Sequence, residues 1–354
     1  EWVPRVCDAG GGPAGTIPVL LHSETSPPPE PELVALEALV PLLRTVEDRA
    51  RLLPERLQAA SQLTRGLSRF FLGEVASAKG RVLSPAAAGD AADPILLLDI
   101  LSTRVRGIMD RLYACFQDDL LPALEAAGVQ VRSWSGLMRE DRRVLLELFT
   151  SHHLPSLQVA PEWGPSFIPE MPPVGCAVGL SARNQGWERT RFFHVVLADD
   201  TPSFLNIPGS AVVVPLEEVV RGYFFSRDPE LERVDTHLFR FTTSEVTVRE
   251  PAPPGEGPPS APQGPASAEP AASAEAADPS ANRAGEALLE SRRSVVVRVL
   301  VRKEMPEVYQ AHLIRALERQ VIRKAPLIGW SDLYPVAGAL DLSGLDGLLD
   351  LKPE

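Results

Sequence analysis

The chain is short of cysteine, aromatic side chains and positive charge. Only Cys7, Cys115 and Cys176 occur in 354 residues. An odd, widely spaced set offers neither a disulfide framework nor zinc-ligand spacing, and it fits a reducing compartment. Acids outnumber Lys and Arg 47 to 35, for a net charge of −12, which argues against a broad nucleic-acid-binding face. No apolar run approaches the ~20 residues that span a bilayer. No charged n-region with a long apolar core opens the chain, so a signal peptide is not expected. The reading is a cytoplasmic protein, with peripheral contact with a membrane left open. The first residue is Glu rather than Met, so the chain reads as a fragment or a processed product.

Catalytic signatures are missing too. Gly10 to Thr16 (GGGPAGT) imitates a phosphate loop in spacing but lacks the Lys before Thr16 and a preceding strand. No serine-hydrolase elbow, paired-carboxylate site or zinc spacing appears. His152 and His153 are adjacent, about 100° apart on a helix, and fit a helix C-terminus better than a metal. His194 alternates onto one face of its strand and reads as structural. Cys115 reads as a core filler, with no basic residue fixed beside it by the pattern.

What is present is helical first and mixed afterwards. Glu1 to Glu30, rich in Gly and Pro, reads as a disordered tail. From Pro31 to Arg81, Leu33, Leu36, Leu39, Val40 and Leu43 recur at helical spacing, and Pro54 separates a second helix carrying Leu57, Leu63, Leu67, Phe70 and Phe71. Eight Lys or Arg stand against four acids between Pro41 and Val82. Arg65 and Arg69, four apart, share one helix face and are candidates to face phosphates. Pro94 starts the longest helix, to about Leu120, and another amphipathic helix is expected over Trp134 to Thr150. Gly175 to Ala182, Arg189 to Leu197, Val212 to Val214 and Ser294 to Val301 read as strands. The helical turn from Leu216 links Val212–Val214 to extended chain beyond Val234. Val212–Val214 and Val295–Val299 are expected in one common sheet. Residues 251 to 290 hold 21 Pro or Ala in 40, so a disordered insertion over 251–286 is expected between two strands.

Several segments in order resemble the bacterial polyphosphate kinases that work through a phosphohistidine. VPLEEVVRGYFF (214–225) and HLFRFT (237–242) resemble their middle, or head, domain. CFQDDLLPALEAAGV (115–129) resembles a helix end of the family, and Pro202–Pro208 a turn of the form LPRF…LP. Pro165–Pro169 keeps only Phe-Ile of the family's Pro-Phe-Pro-Phe-Ile-Ser-Asn. Glu55-Arg56-Leu57, Phe70-Phe71 and Val75 fit the frame ERLxFLAIxxxNLDEFFxVRV, which in the family caps the adenine end of the nucleotide site. Here Gly66 stands at the family's nucleotide-contacting Asn, and Ser68-Arg69 at its Asp-Glu. Gly has no side-chain donor or acceptor, so that contact cannot be made in the family's way.

The resemblance implies an α+β fold: an N-terminal all-α helical domain (31–130), then an α+β head domain (131–325) with a mixed or antiparallel sheet. It implies that residues 326–354 begin the junction to C-terminal domains that carry the phosphohistidine, and that those catalytic domains lie outside this chain. The implied function is the N-terminal and middle part of a polyphosphate kinase, capping the nucleotide site and supporting a homo-oligomer. No catalytic or metal residue is assigned here. The nucleotide-binding candidates are Gly66, at the substituted Asn position, with Arg65 and Arg69. ATP and Mg²⁺ belong to the full enzyme, and polyphosphate binding needs the C-terminal domains; no nucleic-acid partner is implied. The alternative is a catalytically inactive relative that acts as a scaffold or regulator.

Overall fold

The fold was analysed in a computed structural model that describes residues 30–84, 93–160, 162, 175–184, 186–187, 189–251, 288–321 and 329–351. The tail over 1–29, the Pro165–Pro169 segment and residues 252–286 of the expected insertion lie outside the described residues.

Helices come first. α1 (Pro31–Glu37) and α2 (Val40–Glu47) both pack against α3 (Leu53–Phe70). Pro31, Pro41 and Pro54 each fall in a first helical turn, where the missing N–H costs nothing. A π turn at Phe71–Val75 joins α3 to α4 (Ala76–Leu83), and a second at Phe116–Leu120 joins α5 (Pro94–Cys115) to α6 (Leu121–Ala126). Wide turns of this kind release a carbonyl from the helix ladder. At the first, Leu72 O is taken by the Ser244 hydroxyl at 3.1 Å, which ties helix to sheet.

The expected helix over Trp134–Thr150 is shorter than predicted. Trp134–Gly136 is a single 3-10 turn, and α7 runs Arg139–Leu148 before a π turn at Phe149–His153. Trp134 is held instead by its backbone N–H, which donates to Glu218 Oε2 at 3.0 Å.

The strands form two sheets. Order in the larger is β2 (Gln158–Val159), β4 (Arg191–Leu197), β3 (Gly175–Arg183), β7 (Asp235–Pro251), β8 (Leu288–Arg302), β9 (Leu333–Val336). All its pairings are antiparallel except β8 with β9. The smaller sheet orders β1 (Gln130–Val131), β6 (Val212–Pro215), β5 (Phe204–Asn206), with β1 and β6 parallel. The expectation of one common sheet is therefore overturned: Val212–Val214 belongs to the smaller sheet and Val295–Val299 to the larger. α8 (Leu216–Arg227) follows Pro215 directly and carries the chain from one sheet to the other. A short apolar strand announces burial but not its neighbour, which is why the sequence could not separate them.

Each face of the larger sheet is covered. Val178, Leu180, Leu238, Val295 and Leu300 join the helices in one continuous core. Ala177, Phe239, Phe241, Val299 and Val301 pack on the other face under α9 (Glu307–Val321), against Leu313 and Leu317. The β7–β8 register slips between Thr242 and Thr243, which pair with Arg298 and Val296 and leave Val297 without a cross-strand partner. Such an extra residue resets the alternation of the strand. Val297 joins the helix-side core, and its neighbour Arg298 reaches helix α3 as well. The fold is α+β: helices first, then mixed sheets.

Candidate functional site

The polar interior of the protein lies along a seam where α3, the helix-facing side of β7 and β8, and the segment after β9 meet. A strand normally excludes charge from its buried face. Two arginines break that rule here, Arg240 in β7 and Arg298 in β8.

Arg240 Nη1 pairs with Asp341 Oδ2 at 2.8 Å, and its Nε donates to Cys176 Sγ at 2.8 Å. Asp341 also accepts from the Ser203 hydroxyl at 2.7 Å and from Ser343 N at 3.0 Å. Burial alone would push the Asp341 carboxyl up, but Arg240 and these hydrogen bonds hold it below the usual carboxylate range. Burial works against the charge on Arg240, and Asp341 more than restores it, so its pKa is raised.

Arg298 donates from Nη2 to Ser68 Oγ at 3.2 Å and Thr242 Oγ1 at 3.3 Å, and its guanidinium carbon lies 5.0 Å from the Phe71 ring centre. Burial lowers its pKa.

The same segment is gripped from three other elements. Tyr113 in α5 donates its hydroxyl to Leu340 O at 2.9 Å, and burial raises its pKa. Glu217, in the first turn of α8, accepts from Leu340 N at 2.5 Å, and burial raises its pKa. Beside it, Glu218 pairs with Arg302 of β8 at 2.6 Å and with Arg221 at 3.4 Å. In α3, Ser61 Oγ accepts from Asp346 N at 2.9 Å, while Arg65 Nη2 reaches Asp346 Oδ1 and Oδ2 at 2.8 and 2.7 Å and Ser343 O at 2.6 Å. Chemically, this is a docking seam: the Leu340 backbone and the Asp341 and Asp346 carboxylates each meet a fixed donor or acceptor.

Of the three nucleotide-binding candidates, the structure gives each a different setting. Arg65 is engaged by Asp346, and Arg69 is exposed on the same helix. Gly66 faces α1 and α2: a Cβ built there would come 2.6 Å from Leu39 Cδ2. Leu39 thus packs against the face of α3 that carries Gly66. A larger residue at position 66 would have to move the end of the Leu39 side chain.

The histidines and Cys115 can be placed too. His194 is fully buried, its ring against Phe241, and burial pulls its pKa down to about 4. His153 lies against Phe149, and burial followed by the neighbouring His152 lowers its pKa. Among the described residues no cluster of His, Cys, Asp or Glu suits a metal ion. Cys115 is half-buried, but the reading that nothing basic stands beside it is corrected: Arg56 Nη2 lies 3.5 Å from its sulfur. Burial, opposed by Arg56, still raises its pKa.

No protein-family model matches the chain. Among curated proteins it is similar to the polyphosphate kinase of Streptomyces coelicolor, with 25% identity over 308 residues, 86% of this chain and 37% of that protein. It is likewise similar to that of Mycobacterium ulcerans, 26% identical over 226 residues, 60% of this chain and 30% of that one. The chain is a divergent relative of the polyphosphate kinases. Its fold matches the crystal structure of the polyphosphate kinase from Porphyromonas gingivalis with a TM-score of 0.57 and 14% identity, covering 91% of this chain and 40% of that one. This polyphosphate kinase relative therefore spans well under half the length of the proteins it resembles. Apart from Arg65, the residues that define its polar seam were not among the predicted candidates. Arg240 and Arg298 had a signal in the sequence, a lone charge inside HLFRFT and inside VVVRVLV. Glu217, Asp341 and Tyr113 had none, because their partners are remote in the chain.

Proposed function

We propose that this chain forms the N-terminal and middle portion of a polyphosphate-kinase-type protein, where it holds the following segment in place, caps the nucleotide site and supports a homo-oligomer. In the full enzyme the reaction would be reversible transfer of the terminal phosphate of ATP to polyphosphate through a phosphohistidine. Phosphoryl transfer rests on positioning and on cations that neutralise oxygen charge. The described residues offer positioning, and the reading leaves the chemistry to other parts of the enzyme. The observation that supports it is the seam: residues 340–346 are held by α3, α5, β7 and α8 at once, as a docked junction requires.

A second reading, a catalytically inactive scaffold or regulator, is favoured by one observation. Leu39 covers Gly66, and Arg65 is committed to Asp346, so two of three candidate contacts are turned away from a nucleotide. Titration calorimetry of this chain with Mg-ATP separates the readings. An affinity of order micromolar that is lost in Arg69→Ala supports the cap; no heat at millimolar ATP supports the scaffold. On either reading this chain by itself makes no polyphosphate from Mg-ATP, and chain growth detected on a gel would overturn both.

A further inference from the structure

Three guanidinium groups of the seam have carboxylate neighbours: Arg240 meets Asp341, Arg302 and Arg221 meet Glu218, and Glu304 also faces Arg221. Arg298 is the exception. It is 5% exposed, and among the described residues no carboxylate oxygen pairs with it. Its Nη2 meets only the hydroxyls of Ser68 and Thr242, and its buried Nε has no acceptor. The Phe71 ring compensates weakly, because a π face is a poor substitute for an anion. A desolvated guanidinium without a counter-charge is costly, and such groups are normally paired.

Beside it lies a void lined by Arg298, Arg240, Asp341, Tyr113, Thr64 and Leu67. Its volume, about 10 Å³, suits one particle near the size of a water molecule and excludes a phosphate.

We propose that this void is a binding site for a single monatomic anion, chloride in solution, which completes the charge balance at Arg298. The ion is a structural ligand. It sits where α3, β7, β8 and the segment after β9 converge, so its presence ties the docking of that segment to the halide concentration. Ser68 is the position that decides the need for it, because a carboxylate there would stand beside Arg298 in place of the ion.

Thermal unfolding in sodium chloride and in sodium gluconate at equal ionic strength tests this directly. The expected result is a midpoint higher by about 2–4 °C in saturating chloride, as linkage requires of a ligand bound only to the folded state. Bromide should substitute for chloride. The dependence should vanish in Ser68→Asp, which supplies the missing carboxylate, and in Arg298→Met. Equal midpoints in the two salts overturn the proposal, and so does a chloride effect that persists in Ser68→Asp, which would place the ion elsewhere. Should neither variant fold, crystals of the unaltered protein grown in bromide decide. An anomalous peak beside Arg298 supports the site, and its absence from that void removes it.

Discussion

Two Arg–Asp pairs hold the same stretch of chain, five residues apart, and they are not equivalent. Asp341 meets Arg240 at 2.8 Å with both side chains nearly buried, 10% and 14% exposed. Asp346 meets Arg65 at 2.7 Å with 32% and 44% exposed. Similar distances conceal different energetics. In water the exposed pair gains little, because solvent screens it and two long side chains lose freedom. The buried pair gained its attraction at a large desolvation cost, so what matters is the penalty for breaking it. The segment after β9 is therefore fixed from the sheet side at Asp341 and only guided from the α3 side at Asp346. If one end of this junction loosens, it is the α3 end.

The strongest way to break that comparison is Arg240→Met. It strands the Asp341 carboxylate in the interior, and the expected loss is about 3–5 kcal/mol in urea unfolding. Adding Asp341→Leu should recover part of the loss, because the orphaned charge goes with it. A single-variant loss below about 1 kcal/mol would put the two pairs on equal terms.

Acid separates the buried interior from the surface in a second way. His194 has a folded-state pKa of about 4, below its unfolded value near 6.5, because burial disfavours the charged ring. Between those values the unfolded chain binds more protons, so stability is complete above pH 6.5 and falls as pH drops toward 4. The total is on the order of 3 kcal/mol. Asp341, with a lowered pKa, contributes stability that is present above the unfolded carboxylate value and lost only below it, in a separate and more acidic window. Urea midpoints of the parent and His194→Leu at pH 7 and pH 5 test the assignment. The parent should lose stability between those two values, and the variant should be much flatter.

How much of this was legible in the sequence depends on the range of the interaction. Pro31, Pro54 and Pro94 marked helix starts, and the Leu33–Leu43 and Leu57–Phe70 spacings marked buried faces, because those signals lie within a few residues of one another. The strong strand at Val295–Val301 was legible for the same reason. Sheet membership was not, since Val213 and Val297 look alike as sequence and differ only in their neighbours. Trp134 has helical company in the sequence, but its N–H is captured by Glu218 from 84 positions away. In the candidate site, Arg65 and Arg69 were visible as a spacing, while the commitment of Arg65 to Asp346, 281 positions on, was not. The contact between Gly66 and Leu39 was equally out of reach of the sequence.

A third hold on the segment, Glu217 to Leu340 N, depends on the seating of α8, and Gly222 tests that seating. A Cβ there would fall 2.4 Å from the Trp134 ring, so helix and indole touch through the missing side chain. Gly222→Ala should cost about 1–3 kcal/mol, less than the loss of Arg240 but well above a surface change. Thermal unfolding measures it, and a neutral or stabilising result would show that Trp134 moves aside easily.

The smallest effect is expected at the exposed end. Arg65→Ala removes the contacts to Asp346 and Ser343 O, yet it should lower stability by no more than about 1 kcal/mol, and less at high salt. Its informative readout is local rather than global. Hydrogen exchange at Ser343–Asp346 should quicken in Arg65→Ala while exchange at Leu340 stays slow, because Tyr113 and Glu217 still hold that residue from α5 and α8. Equal loosening at both places would mean that the segment is one cooperative unit, gripped as firmly through α3 as through the sheet. Loosening at the α3 end alone would mean that the segment pivots about Leu340 and Asp341, with the exposed arginine as a guide and the buried one as the fixed point.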